Sequence, residues 1–207
     1  EALMRWKRNG VLVPPGDFIP LAEASGDILS IGEWVLEEAM RYIADWRAKG
    51  LLDDNFHIAV NVAARQLARK DFAENLLARL AKHGIPERFF ALEVTESGLL
   101  SDMHNARIQL AQLAEVNIAV AIDDFGTGHS SLAYVKTLPF STLKIDRAFV
   151  MDIEKDPIDR HLALTITQLA HAVGCDVVAE GIETAAQADY LRSIGCEAAQ
   201  GYYYARP

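Results

Sequence analysis

Short apolar runs that each end in a polar or acidic side chain recur along this chain of 207 residues. Segments with helical spacing separate the runs, which lie at residues 58–61, 90–93, 118–124, 142–144, 177–180 and 198–200. One polar strand end carries little information. A polar end on strand after strand is how a (β/α) barrel gathers a site on its C-terminal face. The pattern therefore predicts a parallel α/β fold, with residues 1–3 as the tail of a seventh strand.

A doubly wound sheet is the alternative architecture for alternating strands and helices. A dinucleotide-binding sheet of that kind needs a G-x-G-x-x-G turn after its first strand, and the glycines at 126 and 128 lack the rest of that pattern. No linker, repeat or low-complexity segment is visible. We therefore predict a single domain over residues 1–207, in which six or seven strands form a TIM-like barrel.

Apolar periodicity and end signals place the helices between these strands. Asp156 and Pro157 suit the start of one helix, and Thr184 with Gln187 fits the capping box of another. The remaining predictions are helices at residues 33–49, 64–83, 102–115 and near 130–137, and a last strand at 198–204.

Composition and charge exclude several classes of protein. The net charge of −9 argues against binding to long nucleic acid, which needs a basic surface, but it permits a small phosphate ligand held through divalent cations. No apolar run approaches the roughly 20 residues of a membrane helix, so no membrane insertion by this segment is expected. Cys175 and Cys196 lack metal-binding spacing and are predicted to be core thiols in a reducing cytoplasm.

Asp123 and Asp124 are the sharpest candidates for chemistry. Adjacent carboxylates at a strand end can reach two metal ions, and the ions that cleave phosphate esters lie about 3.5–4 Å apart. The alternative is an Asp-Asp turn at a helix start. Asn61, Glu93 and Glu180, at neighbouring strand ends, favour the metal site. Because these are all oxygen ligands, Mg²⁺ or Mn²⁺ is favoured over Zn²⁺.

Four further polar residues at strand ends and one near the N-terminus complete the candidate site. Lys144 can orient or deprotonate a metal-bound water, or neutralise a phosphate oxygen, although a structural ion pair is the alternative. Gln200 can hydrogen-bond water or phosphate, and Arg5 offers a fork of donors suited to phosphate. Glu96 and Glu183 each lie three residues after a candidate ligand and are placed to anchor the adjoining loops, although solvated surface carboxylates are the alternative.

In order and over the whole chain, these motifs resemble those of the EAL-domain cyclic di-GMP phosphodiesterases. The name-giving triplet is Glu1-Ala2-Leu3, E-x-T-E lies at 93–96, and D-D-F-G-T-G lies at 123–128. Further matching blocks lie at residues 18–23, 61–63, 143–146, 180–183 and 200–202.

The resemblance implies a fold and a reaction. The fold is a TIM-like barrel with one reversed strand, and the reaction is hydrolysis of cyclic di-GMP to linear pGpG with two Mg²⁺ or Mn²⁺ ions and inhibition by Ca²⁺. The family carries a strand and a helix before the triplet. We therefore expect a barrel that lacks its first strand here, within a longer protein that has sensor or cyclase domains.

Carried over residue by residue, the resemblance assigns the metal ligands. The first ion would be held by Glu1, Asn61, Glu93 and Asp123. The second ion would be held by Asp123, Asp124 and Glu180. Glu180 is thus placed among both the ligands and the catalytic residues.

The resemblance also assigns the other roles. Lys144 would help to activate the bridging water, Gln200 would position water or phosphate, and Glu96 would brace the loop at 123–131, which in the family lies near a dimer interface. We further predict contacts with cyclic di-GMP from Leu3, Arg5, Asp146 and Tyr204. The expected assembly is a homodimer in the cytoplasm, with any membrane anchor elsewhere in the full-length protein.

Two alternatives to an active phosphodiesterase stay open at this point. A binding module would sense cyclic di-GMP without turning it over; the occupied catalytic positions argue against it. An unrelated metal-dependent barrel lyase is disfavoured by the whole series of motifs. His129 stands where the family usually has tyrosine, and we expect it to modulate activity rather than abolish it.

Overall fold

The computed structural model describes residues 1–54, 56–127 and 132–206. A two-stranded antiparallel hairpin comes first, and a six-stranded sheet follows it. The hairpin strands are β1 (Trp6–Arg8) and β2 (Val11–Val13). The sheet consists of β3 (Ile58–Asn61), β4 (Phe90–Thr95), β5 (Ala119–Phe125), β6 (Thr142–Ile145), β7 (Asp176–Ala179) and β8 (Ala198–Ala199).

Helices connect the strands of this sheet, with a 3₁₀ turn at Glu87–Phe89 before β4. Their bounds are α1 (Pro15–Ser25), α2 (Ile28–Ala48), α3 (Ala64–Leu67), α4 (Phe72–Lys82), α5 (Glu96–Ser101), α6 (Met103–Glu115), α7 (Leu132–Val135), α8 (Arg147–Met151), α9 (Pro157–Ala172) and α10 (Ala185–Ser193).

The six strands lie side by side in chain order, from β3 to β8, and every neighbouring pair is parallel. This arrangement confirms the predicted fold, a TIM-like barrel that lacks strands. Ala2 forms a parallel bridge to Val60, which confirms the expected strand tail at residues 1–3. The reversed strand that the resemblance implies is not one of these six.

The strands carry few polar residues because the sheet is covered. In β4 every residue except Thr95 is buried, as is usual for a parallel strand covered on both faces. Glu93 lies within that strand and is only 6% exposed. A carboxylate at such a position needs a charged or hydrogen-bonding partner. The partner of Glu93 belongs to the site described below.

The helix predicted for residues 64–83 is interrupted in the structure, where α3 and α4 are separate. Side chains of α6 hold the break: Asn105 donates to the Leu67 carbonyl, at 3.0 Å. Gln109 donates to the Lys70 carbonyl at 3.0 Å and accepts from the Ala73 amide at 2.9 Å. The side-chain amides of Asn105 and Gln109 thus take the place of the backbone hydrogen-bond partners that a continuous helix would supply. The prediction of one helix was wrong because the partners lie more than 30 residues away.

The structure differs from the sequence analysis near both chain ends: it has a hairpin that was not predicted, and its last strand is shorter. Residues 6–13 form a hairpin, because Asn9 and Gly10 take φ values of 50° and 83°, as a tight two-residue turn requires. The strand predicted for 198–204 ends at Ala199. Beyond it, the Tyr203 amide donates to the Ile182 carbonyl, which turns the chain out of the sheet.

Two predicted helix caps are confirmed. Asp156 caps α9 by accepting from the Ile158 amide, with Pro157 at its start. Thr184 and Gln187 form the capping box of α10. Both cysteines are free thiols; Cys175 is buried, whereas Cys196 is only partly so. Among the described residues, no helix has the length and apolar character that crossing a bilayer requires.

Substitution of Gly201 by alanine is predicted to destabilise the fold. A Cβ at this position would lie 2.2 Å from the Ile182 carbonyl oxygen and 2.3 Å from its nitrogen, and backbone atoms cannot move aside as a flexible side chain can. We expect a loss of about 1–3 kcal/mol in the free energy of unfolding, measured by urea denaturation. Gly16→Ala is the control, because its added Cβ meets nothing within 4 Å. Equal midpoints for the two variants would contradict this account.

Candidate functional site

A buried lysine lies at the centre of the polar strand ends. Lys144, on β6, has a side chain only 3% exposed. Its Nζ lies 2.7 Å from Glu93, 3.5 Å from Asp123 and 2.5 Å from Glu180. The three carboxylates come from β4, from β5 and from the residue after β7. Four neighbouring strands thus place one charged group each at the same point.

Glu1 connects the two open edges of the sheet at this level. Asn61, at the end of β3, donates to Glu1 Oε1 at 2.7 Å. Gln200, which follows β8, donates to Glu1 Oε2 at 3.4 Å and to Glu180 Oε1 at 2.6 Å. The first and last strands are therefore linked through one carboxylate, and the predicted residues Glu1, Asn61 and Gln200 lie beside the lysine cluster.

Asp124 and Asp146 form an acidic pair next to this cluster. Asp124 has φ 55°, a conformation that aspartate tolerates better than most residues. Burial, and then the charges of Asp123 and Asp146, raise the pKa of Asp124 to about 6. Asp146 also accepts from the Ala148 amide at 2.9 Å and so begins α8. The predicted ligand Asp124 and the predicted substrate contact Asp146 are thus adjacent.

The carboxylates outnumber the cation that they share. Burial raises the pKa of Glu93 to about 7, against the lowering effect of Lys144. Burial also raises the pKa of Glu180. Burial alone would lower the pKa of Lys144, but the charges of Glu93, Asp123 and Glu180 raise it overall. Three carboxylates thus share one ammonium group in a poorly solvated place.

The donor chemistry of this cluster fits a hard divalent cation, because it consists of carboxylate and amide oxygens. As placed, no three His, Cys, Asp or Glu side chains of the described residues are arranged so that they can hold a metal ion together. In this arrangement, the carboxylates of Glu93, Asp123 and Glu180 are paired with the Lys144 ammonium group.

Glu96 contacts the loop that follows β5. Its side chain is buried at 2% exposure, and its Oε2 accepts from the Gly126 amide at 3.0 Å. Burial, together with the neighbouring Glu96 carboxylate, raises the pKa of Tyr134 on α7. Glu96 therefore lies against both the start of the loop and the helix after it. His129 lies outside the described residues.

Arg147 is a residue at this edge that the sequence interpretation missed. Its Nη2 lies 2.7 Å from Glu183 Oε1. Its aliphatic stem covers Gly181, where an added Cβ would lie 2.3 Å from Arg147 Cγ. The pair joins the start of α8 to the loop after Glu180. Its only signal in the sequence is that Arg147 and Glu183 each lie close to a candidate site residue.

A cavity of about 770 Å³ opens beside the cluster and is lined by Leu3, Arg5 and Asn61, among others. Leu3 is 44% exposed. Within the described part of the chain, the Arg5 guanidinium donates one hydrogen bond, to the carbonyl of Met4. Tyr204 is not among the residues that line this cavity. It lies instead against Tyr203, edge to face, with ring centroids 5.1 Å apart. The structure thus brings Leu3 and Arg5 to one cavity and leaves Tyr204 outside its lining.

The fold and site define a (β/α) barrel with a carboxylate–lysine cluster at the C-terminal edge of its strands. The profile of the EAL domain family matches residues 1–207, and the chain belongs to that family.

The curated relatives are much longer than this chain. The bifunctional diguanylate cyclase/cyclic di-GMP phosphodiesterase MucR of Pseudomonas aeruginosa is 42% identical over 209 residues, which cover 100% of this chain and 30% of MucR. The cyclic di-GMP phosphodiesterase NbdA of the same organism is 39% identical over 208 residues, which cover 100% of this chain and 26% of NbdA. The chain thus spans less than a third of either protein.

Solved structures of relatives share the fold of this chain. The structure described as PaMucR phosphodiesterase in complex with c-di-GMP superposes with a TM-score of 0.91 at 40% identity, covering 98% of this chain and 82% of that one. The FimX EAL domain of Xanthomonas citri, in complex with c-diGMP, gives a TM-score of 0.87 at 25% identity, covering 98% and 79% of the two chains.

Replacement of Lys144 by methionine is predicted to destabilise the protein strongly. The change keeps the volume but leaves the carboxylates of Glu93, Asp123 and Glu180 without their shared cation. Breaking a buried ion pair from one side costs about 3–5 kcal/mol, to be measured by urea denaturation. Arg192→Met is the control, since it removes an exposed pair with Asp189. If the two variants unfold alike, the cluster does not depend on Lys144.

Proposed function

We propose that this domain hydrolyses one phosphodiester bond of cyclic di-GMP and releases linear pGpG. The observation that carries the proposal is the cluster of Glu93, Asp123 and Glu180 around Lys144 at the C-terminal edge of the strands. Relatives named as cyclic di-GMP phosphodiesterases align with the entire chain. An oxygen-only acidic site suits a metal-dependent attack on a phosphate ester.

The proposed cofactors are two Mg²⁺ or Mn²⁺ ions, with Ca²⁺ as an inhibitor. Bound at this edge, such ions supply Lewis-acid polarisation of the phosphate and a more acidic water. The residues that would hold them are Glu1, Asn61, Glu93, Asp123, Asp124 and Glu180. Burial is the largest cause of the raised pKa values of Glu93, Asp124 and Glu180, and bound cations would offset the cost of burying their negative charge.

The other residues of the site bind phosphate or orient the groups around it. Since its pKa is raised, Lys144 is a cation in this arrangement, and it donates hydrogen bonds rather than accepting a proton. We assign it the neutralisation of a phosphate oxygen and the orientation of the attacking water. Gln200 holds the Glu180 carboxylate through its amide. Arg5, with no carboxylate partner among the described residues, is free to contact a phosphate.

A receptor for cyclic di-GMP is the second candidate function. The FimX EAL domain of Xanthomonas citri was solved in complex with c-diGMP, so the fold holds this ligand in a relative. The full set of carboxylates around Lys144 favours hydrolysis for this chain. Additional sensor or cyclase domains in the full-length protein remain part of the proposal, supported by the greater length of the relatives. A homodimer and a cytoplasmic location are proposed with them, on the family resemblance alone.

The direct test is incubation of the purified chain with cyclic di-GMP and Mn²⁺ or Mg²⁺, with products resolved by chromatography. We expect pGpG to appear, and we expect an equal concentration of Ca²⁺ to suppress it. Binding of cyclic di-GMP without any product would favour the receptor instead. Absence of both binding and product would contradict the proposal.

Asp123→Asn is predicted to lower kcat by at least about a hundredfold, the scale on which loss of one group that stabilises transition-state charge acts, while the protein stays folded. Asp176→Asn is the matched control, because Asp176 is exposed at the opposite end of the strands, at the start of β7. Both variants are assayed for pGpG and checked by circular dichroism. Near-normal turnover by the folded Asp123→Asn variant would remove Asp123 from the metal site.

A further inference from the structure

The buried side chain of Gln187 forms hydrogen bonds beyond those of the helix that it caps. It lies in the first turn of α10 and is 4% exposed. Its Oε1 accepts from the backbone amides of Glu183 at 2.7 Å and Thr184 at 3.0 Å. Its Nε2 donates to the carbonyls of Val150 and Met151, both at 3.2 Å. A capping box accounts for the contact with Thr184, but it does not account for the contacts with α8.

The amide of Gln187 uses its full capacity for hydrogen bonds. A primary amide offers two donor hydrogens and an oxygen with two lone pairs. In Gln187, both donors meet carbonyls of α8 and both lone pairs meet amides of the loop at 180–184. A buried polar group that is satisfied in this way fixes the elements that it joins. Gln187 therefore fastens the end of α8 to that loop.

The beginning of α8 contacts the same loop. Arg147, its first residue, pairs with Glu183 at 2.7 Å. The aliphatic stem of Arg147 also covers Gly181, where the backbone takes a φ of 71°. Because α8 has only five residues, contacts at its two ends hold its whole length. The helix and the loop at 180–184 thus form one unit.

Each part of this unit begins at an acidic residue of the candidate site. Asp146 begins α8 and lies beside Asp124. The loop begins at Glu180, whose amide donates to the Ile145 carbonyl at 3.1 Å. Beyond that bond the chain leaves the sheet, so the direction it takes depends on the contacts of the loop. The contacts of Gln187 therefore help to fix Glu180 relative to Asp124 and Asp146.

We propose that Gln187 is a positioning residue for the second of the two proposed metal ions. The proposal rests on the proposed function, in which Asp123, Asp124 and Glu180 hold that ion. Gln187 acts through the loop that carries Glu180 and contacts neither the ion nor the substrate. Outer hydrogen-bond partners of this kind keep metal ligands in place.

The two proposed ions should respond differently to loss of this contact. The ligands assigned to the first ion alone are Glu1, Asn61 and Glu93. These residues belong to the N-terminal segment, to β3 and to β4, and not to α8 or the loop at 180–184. Loss of the Gln187 amide should therefore weaken the second ion selectively.

The test is calorimetric titration of Mn²⁺ into the wild type and into Gln187→Met, with a non-hydrolysable cyclic di-GMP analogue present. Methionine keeps the length of the side chain but has no amide. We expect Kd for the second ion to rise about 10–100-fold, the usual effect of losing an outer partner of a metal ligand. Kd for the first ion should change far less, and turnover lost at limiting Mn²⁺ should recover at high Mn²⁺.

Gln109→Met is the matched control. Gln109 is also a buried glutamine, at 1% exposure, and its amide bonds to Ala73 and Lys70 at the break between α3 and α4. Both variants lose a buried amide, so both should unfold more easily, but only Gln187→Met should alter the second Kd. The proposal is overturned if the two variants bind Mn²⁺ alike, or if Gln187→Met weakens both ions equally.

Arg147→Met tests the same connection without disturbing a buried residue. It removes the pair with Glu183, whose two side chains are 52% and 46% exposed, and it keeps a stem over Gly181. Because exposed pairs contribute little, we expect the second Kd to rise only about twofold to fivefold, with the first unchanged. If Gln187→Met does not fold, this variant decides, and an unchanged second Kd overturns the proposal.

Failure of the proposed function is visible separately, in the wild type. Two Mn²⁺ ions per wild-type chain support the proposed metal site, and the variants then test Gln187 alone. If the folded wild type binds fewer than two ions, the two-metal assignment fails, and the role of Gln187 fails with it before any variant is compared.

Discussion

The pairing of one buried ammonium group with the carboxylates of Glu93, Asp123 and Glu180 is the interaction on which the rest of this structure depends. Charges this well buried are costly unless they are paired. Each partner lies on a different strand end, so the pairing holds only when β4, β5, β6 and β7 are in register. The apolar core determines that the strands assemble, and the cluster ties their C-terminal ends to one point.

The same cluster contains more carboxylates than cations. One lysine cannot neutralise the carboxylates of Glu93, Asp123, Asp124, Glu180 and Glu1. Burial raises the pKa values of Glu93 and Asp124 to about 7 and about 6. A site built only for stability has no need of this excess. A site that receives divalent cations and an anionic substrate does, because the cations restore the balance of charge. The contacts of Glu1 with both edges of the sheet add to the same acidic surface.

Much of the fold and of the candidate site could be predicted from the sequence, because the signals are local. Apolar runs that end in Asn61, Glu93, Asp123, Lys144 and Glu180 mark both the strands and their C-terminal edge. Caps such as Asp156 and Thr184 act within one turn of a helix, so their spacing is readable. The order of these elements was enough to predict the parallel barrel.

The features that could not be predicted depend on partners distant in sequence. The break between α3 and α4 is stabilised by Asn105 and Gln109, and the periodicity of residues 64–83 does not predict it. The end of β8 depends on the close approach of Gly201 to Ile182. Arg147 and Glu183 are 36 residues apart. In each case the decisive contact exists only in the folded chain.

The central claim is that the carboxylates around Lys144 form a metal site. It is tested most directly by isothermal titration calorimetry of Mn²⁺ into the folded domain, in the presence of a non-hydrolysable cyclic di-GMP analogue. The account predicts saturable binding of two ions per chain, and the loss of one of them in a Glu180→Gln variant that remains folded. Absence of Mn²⁺ binding by a folded wild type that still binds the analogue would contradict the account. The carboxylates around Lys144 would then be a structural ion cluster rather than a metal site.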